Sequence, residues 1–358
     1  MVRAILRSAK EMEWNQAMNP ISDGNVVCFG ELLMRLSPAH NELLLQSPNL
    51  RVHFGGAEAN VAASMAILGH RSVMVSTLPD NALGHACNGE LKRLGVHPAI
   101  RFVDGRMGLY FLSPGAMHRP ADVLYDRADS AFALTRGDAY DWPARLAGAN
   151  WLHLSGINLA LGQATAEAAL AAVQAARDGS IPVSFDCNYR SKLWGDRANE
   201  APSLTRKLAA ESDVLIGNDR DIALMLGATF TQEDASQRFA AAAELAFNTW
   251  PRLRWMIATE RLHHSADQQD VRGLCARRDG VTHTRWCALP GIVDRIGTGD
   301  AFTAGFLHCL LSGAPERDAL EFAFAAFCLK HSVAGDVNLL GEGDIRHFMA
   351  GESFDVRR

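Results

Sequence analysis

The chain has 358 residues, 48% of them hydrophobic, which is enough for a large buried core in one α/β domain with at most a small accessory lobe. It carries 35 basic and 40 acidic side chains, a net charge of −5. No long basic run occurs, so neither nucleic acid nor an anionic membrane is an expected partner. Seven scattered cysteines without a CxxC pair argue against a disulfide framework or a zinc site and favour a reducing cytoplasm.

The predicted elements begin after residues 1–24, a polar N-terminal extension without the apolar core of a secretion signal. No later stretch approaches the ~18 apolar residues of a membrane span. Short apolar runs bounded by turn residues predict strands at Asn25–Phe29, Leu32–Leu36, Leu43–Leu45, Arg51–Phe54, Ser72–Thr77, Ile100–Val103, Gly108–Ser113, Val123–Asp126, Trp151–Leu154, Pro182–Asp186, Asp213–Ile216 and Trp255–Thr259. Longer runs predict helices at Ala57–Leu68, His85–Leu94, Ala164–Arg177, Ala201–Ala210, Asp219–Leu226, Ala235–Phe247, Asp300–Leu311 and Arg317–Val333.

Strands that alternate with helices favour a mostly parallel central sheet covered by helices on both faces. Two groups of strands, near residues 31–54 and 100–127, break this rhythm and predict a small antiparallel layer inserted into the domain. Neither an internal repeat nor a low-complexity linker divides the chain. We therefore expect one domain over residues 25–350, followed by a short tail at 351–358.

A glycine-rich turn late in the chain, Asp294–Asp300, is the most informative segment. Its glycines let the backbone approach a ligand, and the amides of Gly297, Thr298 and Gly299 lie at a helix start, where free N–H groups stabilise negative charge. Asp300 sits at that same start. Phosphoryl transfer to an alcohol needs such a base beside an anion-binding turn. The alternative is that Asp300 only caps the helix.

Other motifs that carry chemistry are missing from the sequence. It has no GxxxxGK[ST] P-loop, no GxGxxG after a strand, no HExxH pair and no GxSxG elbow. A P-loop enzyme is excluded at the level of the motif, and a dinucleotide-binding dehydrogenase is poorly supported.

Two segments resemble the signatures of one family. Asp294–Asp300 (DRIGTGD) is similar to the DTxGAGD signature of the PfkB-type, ribokinase-like sugar kinases, and Gly55–Asn60 (GGAEAN) to their GGxxxN motif. The separation of about 240 residues also fits, and the resemblance extends from Asn25 to Met349. It implies a three-layer α/β/α sandwich with a small antiparallel β lid, ATP and Mg²⁺ as cofactors, and a homo-oligomer such as a dimer through the lid. It leaves open whether a monovalent cation orders the late turn.

Further segments are similar to the 2-keto-3-deoxygluconate kinases within this family. They are Phe29–Leu33, Gly108–Tyr110, Tyr125–Ala131, Asp186–Arg190 with Leu193 and Trp194, and Leu329–Ser332 with Gly335 and Asp336. The implied reaction transfers a phosphoryl group from ATP to the terminal hydroxyl of this sugar acid. Alternatives stay open: fructose, ribose, 2-keto-3-deoxygalactonate or a nucleoside as acceptor, or a sugar-binding regulator without turnover.

Candidate residues for the sugar come from two regions. By resemblance, Gly56 and Asn60 contact the sugar; the alternative is a tight turn and a polar residue at a helix start. Tyr125 and Arg127 alternate along a strand and so face the same way, where a guanidinium can hold a carboxylate through two hydrogen bonds. Tyr110 is a similar candidate. The alternative for these strand residues is a solvated face of the lid.

Asp186 and Arg190 follow the predicted strand Pro182–Asp186. Ligands of open α/β sheets bind beyond the carboxyl ends of the strands, which places both residues near the centre of the cleft. By resemblance, Arg190 contacts the substrate and Asp186 lies close to the phosphate. The alternative for Arg190 is a surface ion pair.

Asn218 and Asp221 resemble the family's NxxE motif, with aspartate in place of glutamate. They imply a Mg²⁺ site at Asp221 held through water; the alternative is an ordinary helix start. Thr259 is the expected nucleotide contact. The family's glycine-containing loop is replaced at Thr259–Ser265, so the adenine contacts stay unassigned, and the adjacent histidines there are expected to be exposed rather than metal ligands.

Overall fold

The computed structural model describes residues 24–351. The extension predicted at residues 1–24 therefore lies outside the described residues except for Gly24, as does the predicted tail beyond residue 351. Within the described chain, none of the helices has the length and apolar character needed to cross a membrane.

The strands are β1 (Asn25–Phe29), β2 (Leu33–Ser37), β3 (Arg51–Gly55), β4 (Ser72–Pro79), β5 (His97–Val103), β6 (Gly108–Ser113), β7 (Asp122–Asp126), β8 (Ala149–Ser155), β9 (Val183–Asp186), β10 (Val214–Ile216), β11 (Trp255–His263), β12 (Gln268–Arg277), β13 (Gly280–His283) and β14 (Cys287–Pro290). The helices are α1 (Ala57–Ile67), α2 (Ala82–Arg93), α3 (Trp142–Arg145), α4 (Ile157–Ala160), α5 (Gln163–Asp178), α6 (Ser191–Trp194), α7 (Ala201–Ala210), α8 (Asp219–Leu226), α9 (Ala235–Thr249), α10 (Thr298–Leu311), α11 (Glu316–Lys330) and α12 (Glu342–Ala350).

A large sheet forms the middle layer, in the order β13-β12-β11-β10-β9-β8-β1-β4-β5, with β14 paired to β12. Neighbouring strands from β5 to β11 run parallel, and β12 to β14 add antiparallel pairs at one end. Alternate side chains of β1 enter opposite cores: Val26 and Cys28 pack with α1, α2 and α10–α12, whereas Val27 and Phe29 pack with α3–α9. The predicted three-layer sandwich is confirmed.

A separate small sheet, in the order β3-β2-β6-β7, confirms the predicted second layer. Its outer pairs are antiparallel and its central pair, β2 and β6, is parallel. Two predicted strands were placed wrongly. Ile100–Val103 belongs to β5, which pairs with β4 in the large sheet. Leu43–Leu45 forms turns instead of a strand, because Leu45 has a φ of 63°, outside the extended region.

The hairpin β11–β12 is the largest difference from the predicted elements, which include no strand between Thr259 and Asp294. β11 continues beyond Thr259 to His263, and each of its residues from Met256 onward pairs with β12. The segment that replaces the expected glycine loop is therefore mostly strand. Its polar and exposed residues lack the hydrophobic alternation by which a strand is recognised in a sequence.

The helices α10 and α11 pack closely together at Gly305. A Cβ atom on this residue would lie 2.8 Å from the Ala323 Cα atom in α11. Since α10 begins at the late glycine turn, this packing also fixes the position of that turn.

Gly305→Ala should destabilise the protein by about 1–3 kcal/mol, because backbone must move to admit the methyl group. Gly89→Ala in α2 is the matched control, since no atom lies within 4 Å of its added Cβ. It should be stabilising by about 1 kcal/mol, the helix-propensity difference between glycine and alanine. Urea unfolding of both variants measures the two effects, and equal shifts of the same sign would contradict this account of the α10–α11 contact.

Candidate active site

A cavity of about 410 Å³ lies between the small sheet and the carboxyl ends of β9 and β10, beside the middle of β11. Every residue that the sequence pointed to as a site residue lines it: Gly56, Asn60, Tyr110, Tyr125, Arg127, Asp186, Arg190, Asn218, Asp221, Thr259, Gly297, Thr298, Gly299 and Asp300. Segments that are up to about 240 residues apart in sequence thus share one chamber.

The glycine turn has the geometry of an anion-binding helix start. Gly297 is the N-terminal cap of α10 and has a φ of 76°, a left-handed conformation that favours glycine. A Cβ atom at this position would also overlap the carbonyl oxygen of Asp336. Within the described residues no side chain caps α10, so its first amides stay available to a ligand.

Asp300 lies in the first turn of α10 and does not cap it. Its Oδ2 atom accepts a hydrogen bond of 2.7 Å from the Nδ2 atom of Asn60 in α1, so the simple capping interpretation is wrong. Burial raises the pKa of Asp300 to about 7, against the lowering effect of the Asn60 hydrogen bond. A carboxylate with a pKa near neutrality is well matched to accept a proton at physiological pH.

Asp186 ends β9 on the floor of the same cavity. Burial and then the nearby Asp300 carboxylate raise its pKa to about 8, while Arg190 opposes the shift. Its Oδ1 atom accepts a 3.0 Å hydrogen bond from the backbone N–H of Asn188. Asn188 has a φ of 38°, and its buried Oδ1 atom has no partner among the described residues, which leaves an acceptor for a ligand.

Asn218 and Asp221 form a capping box at the start of α8. Asn218 Oδ1 accepts from the backbone N–H of Arg220 at 2.8 Å, and Asp221 Oδ2 accepts from that of Asn218 at 2.8 Å. The helix-start interpretation is therefore confirmed, although both residues also line the cavity. Burial raises the pKa of Asp221.

The donor set fits Mg²⁺ bound largely through water and phosphate. Within residues 24–351, no group of three or more His, Cys, Asp or Glu side chains could hold a metal by itself. His264 pairs instead with Asp270, at 2.9 Å. Four carboxylates line the cavity, those of Asp186, Asp221, Asp300 and Asp336. Mg²⁺ is commonly bound by one or two carboxylates with waters and substrate phosphates, and Asp186 and Asp221 are the candidates for it.

Arg127 faces the cavity beside Tyr125, as the strand alternation predicts, but it is buried and ion-paired. Its Nε atom donates to Oε2 of Glu31 at 2.7 Å, and Glu31 also accepts from the hydroxyl of Ser130. The solvated-face alternative is wrong for Arg127, and its charge is already balanced within the protein. Tyr110 is also buried, with its hydroxyl donating to Asp336.

Three other arginines line the cavity: Arg190, Arg261 and Arg295. Arg295 donates to the backbone oxygen of Ser265 at 3.0 Å. Arg190 and Arg261 have no side-chain hydrogen bond or ion pair within the described chain, so the surface ion pair considered for Arg190 is not formed there. These cations can bind an anionic ligand.

Sequence reasoning missed Arg261 and Arg295. Arg261 follows Thr259 by two residues in β11, so the two side chains share a face of that strand. Extending the predicted strand beyond Thr259 would have found it. Arg295 lies inside the glycine-turn motif itself, directly after Asp294, and its position there was the available signal.

Buried charges behind the turn were also missed. Arg35 in β2 contacts Asp294 at 2.7 Å and Asp336 at 2.9 Å. Lys330, at the end of α11, is fully buried nearby. Since the partners are hundreds of residues apart in sequence, no local pattern indicates these contacts.

The family model of the pfkB family carbohydrate kinases matches residues 23–248 and 273–339. The chain belongs to this family. It is therefore a sugar kinase, and the alternative of a regulator without turnover is set aside. The unmatched residues between the two ranges include β11.

Individual relatives span nearly the whole chain. A 2-dehydro-3-deoxygalactonokinase of Haloferax volcanii is 33% identical over 93% of this chain and 99% of its own. A 2-dehydro-3-deoxygluconokinase of Thermoproteus tenax is 27% identical over 87% of this chain and 90% of its own. The crystal structure of the Thermotoga maritima 2-dehydro-3-deoxygluconokinase superposes with a TM-score of 0.87 at 35% identity, covering 92% of this chain and 100% of that one.

The raised pKa of Asp186 predicts a pH-dependent stability. Its folded pKa of about 8 exceeds the ordinary value of 3.8, so the folded state binds the extra proton, and the stability this gives is lost as pH rises from about 4 to 8. Asp186→Asn removes this titration. The free energy of unfolding of the variant relative to wild type should therefore increase between pH 5 and 8 in ligand-free protein.

Urea unfolding should be used to measure the free energy of unfolding of Asp186→Asn and of wild type at each pH, and the difference between the two values is then compared across pH. The buried neutral histidines, such as His153 with a pKa of about 3, change wild-type stability in the opposite direction, and the comparison cancels them. A difference that stays constant from pH 5 to 8 would rule out a raised Asp186 pKa.

Proposed function

We propose that this kinase transfers the γ-phosphoryl group of ATP to the terminal hydroxyl of 2-keto-3-deoxygluconate. The observation that carries the proposal is the pairing of Asp300 with Asn60 at the head of the glycine turn, at 2.7 Å. The Asp300 carboxylate, with a pKa of about 7, therefore lies beside the first backbone amides of α10, which no side chain of the described residues caps. A hydroxyl bound there meets a base and an anion-stabilising turn together.

In the proposed mechanism, Asp300 removes the proton from the sugar hydroxyl as its oxygen attacks the γ-phosphorus. A new P–O bond forms to the sugar, the bond to the β-phosphate oxygen breaks, and ADP leaves with that electron pair. The amides of Gly297, Thr298 and Gly299 stabilise the charge of the group in transfer. Asp221 and Asp186 would hold Mg²⁺ through its water ligands; when bound, the ion neutralises phosphate charge.

The charges of the cavity support a sugar acid as the acceptor. Arg190 has no partner in the described chain, whereas the charge of Arg127 is balanced by Glu31. A carboxylate of the substrate can therefore pair with Arg190, and Tyr125 in the small sheet can offer its hydroxyl. The names of the relatives also point to 2-keto-3-deoxy sugar acids. The galactonate epimer is the second candidate, since the Haloferax volcanii relative carries that name.

Asp300→Asn should lower kcat by at least about 10²-fold, the low end for loss of acid–base assistance. The fold should be retained, because asparagine can still accept from Asn60. A coupled ADP-release assay, with thermal unfolding beside it, measures both properties. Asp104→Asn, an exposed aspartate outside the cavity, is the control and should keep wild-type turnover. Near-wild-type turnover of Asp300→Asn would exclude Asp300 as the base.

The substrate assignment is tested by kcat/KM for 2-keto-3-deoxygluconate, its galactonate epimer, fructose and ribose with ATP and Mg²⁺. The gluconate acid should be preferred over both neutral sugars. Arg190→Met should reduce kcat/KM for the acid by about tenfold or more, as expected for losing a charged hydrogen bond, and change fructose turnover little. Preference for a neutral sugar, or an equal Arg190→Met effect on both kinds of sugar, would overturn the assignment.

We also propose that the protein forms a homodimer through the small sheet, which corresponds to the β lid that the family resemblance implies. The small sheet exposes Val52 and Leu124, which are 51% and 57% accessible. A second copy of the chain could cover this apolar face, and light scattering would measure the mass in solution.

A further inference from the structure

A fully buried lysine lies behind the glycine turn. Lys330 is the last residue of α11, and its side chain has no exposure to solvent. Its Nζ atom donates to the backbone oxygens of Val333 and Gly335 at 3.0 and 2.9 Å. A buried ammonium group is costly without partners, so a specific role is expected for it.

Two carboxylates lie near Lys330. Burial lowers the pKa of Lys330, and the carboxylates of Asp294 and Asp336 oppose this shift. Both carboxylates also bind the guanidinium of Arg35, at 2.7 and 2.9 Å. Two cations and two anions thus form one buried cluster, and the hydroxyl of Tyr110 donates to Asp336 at its edge.

This cluster supports the turn directly. Asp294 Oδ1 accepts from the backbone N–H of Ile296, and Asp294 Oδ2 from that of Gly335, each at 3.0 Å. The carbonyl group of Asp336 packs so closely against Gly297 that no Cβ fits between them. The segment whose carbonyl groups Lys330 holds is therefore in contact with the turn that carries Asp300.

A monovalent cation behind the turn would need oxygen ligands, chiefly carbonyl groups and carboxylates. Four such groups there already accept hydrogen bonds from a cationic side chain. The carbonyl oxygens of Val333 and Gly335 accept from Lys330, and the carboxylates of Asp294 and Asp336 accept from Arg35.

We infer that Lys330 is a built-in replacement for a monovalent cation, a positioning residue that holds the glycine turn in place so that phosphoryl transfer needs no K⁺. This inference rests on the proposed kinase reaction for its effect on turnover. Its structural part, that no ion is needed to order the turn, holds independently of the substrate.

The first test uses wild-type protein in KCl, NaCl and tetramethylammonium chloride at equal ionic strength. Turnover and the thermal midpoint of ligand-free protein should be the same in all three salts, with rates within about twofold. Rates about tenfold lower in tetramethylammonium, or a midpoint raised specifically by K⁺, would overturn the inference. This test needs no variant and is unaffected if a substitution impairs folding.

The second test compares Lys330→Met, Lys330→Ala and the control Lys92→Met, whose lysine is exposed on α2. Lys330→Met should lower kcat by about tenfold or more through displacement of the turn, with KM values changed less than about threefold. Lys330→Ala leaves space, so K⁺ or NH₄⁺ should raise both its kcat and its thermal midpoint, and tetramethylammonium should raise neither. Lys92→Met should match wild type.

Two results would show that Lys330 does not replace an ion. One is a wild-type kcat in Lys330→Met, and the other is a Lys330→Ala protein whose kcat and thermal midpoint do not change with any added cation. If wild type turned over none of the sugars, the proposed function would fail by itself. The thermal midpoints of wild type and Lys330→Ala across the salts would still decide the inference.

Discussion

The side chain of Arg35 extends from the small sheet and binds two carboxylates, those of Asp294 and Asp336, which lie 259 and 301 residues away in sequence. All three side chains are nearly inaccessible to solvent. Buried ion pairs recover their desolvation cost only with good geometry and further hydrogen bonds, and here each carboxylate has them: Asp294 from two backbone N–H groups and Asp336 from Tyr110. The small sheet and the glycine turn are thereby held as one unit, and the cavity between them has a defined shape.

Much of the candidate site was predictable because its chemistry is local in sequence. A left-handed glycine, free amides and a carboxylate follow one another within a few residues of Gly297, so the pattern of residue types already describes the turn. The residues after β9 and β10 were predictable for a related reason, since parallel strands deliver the residues that follow them to one edge of the sheet. Periodicity likewise predicted the layers of the fold, because alternate residues of β1 enter different cores.

The parts that were not predicted depend on pairings between distant segments. Whether Arg127 is free or paired is decided by Glu31, which lies 96 residues away, and strand alternation gives only the direction of its side chain. The hairpin β11–β12 is stabilised by its ladder of hydrogen bonds, although its sequence is polar. Arg261 reaches the cavity only because that strand continues, so missing the strand also concealed the cation.

The cationic side chains around the cavity differ in their exposure to water, and added salt should therefore screen some of them more strongly than others. Arg35 and Lys330 are enclosed with their counter-charges, where mobile ions screen little. Arg190 and Arg261 line the cavity with exposed side chains, where mobile ions screen more strongly. Rising ionic strength therefore weakens the long-range attraction that brings anionic ligands to the cavity, while the alignment of the turn persists once they are bound. The protein thus keeps enclosed charges beside the glycine turn and exposed charges along the cavity.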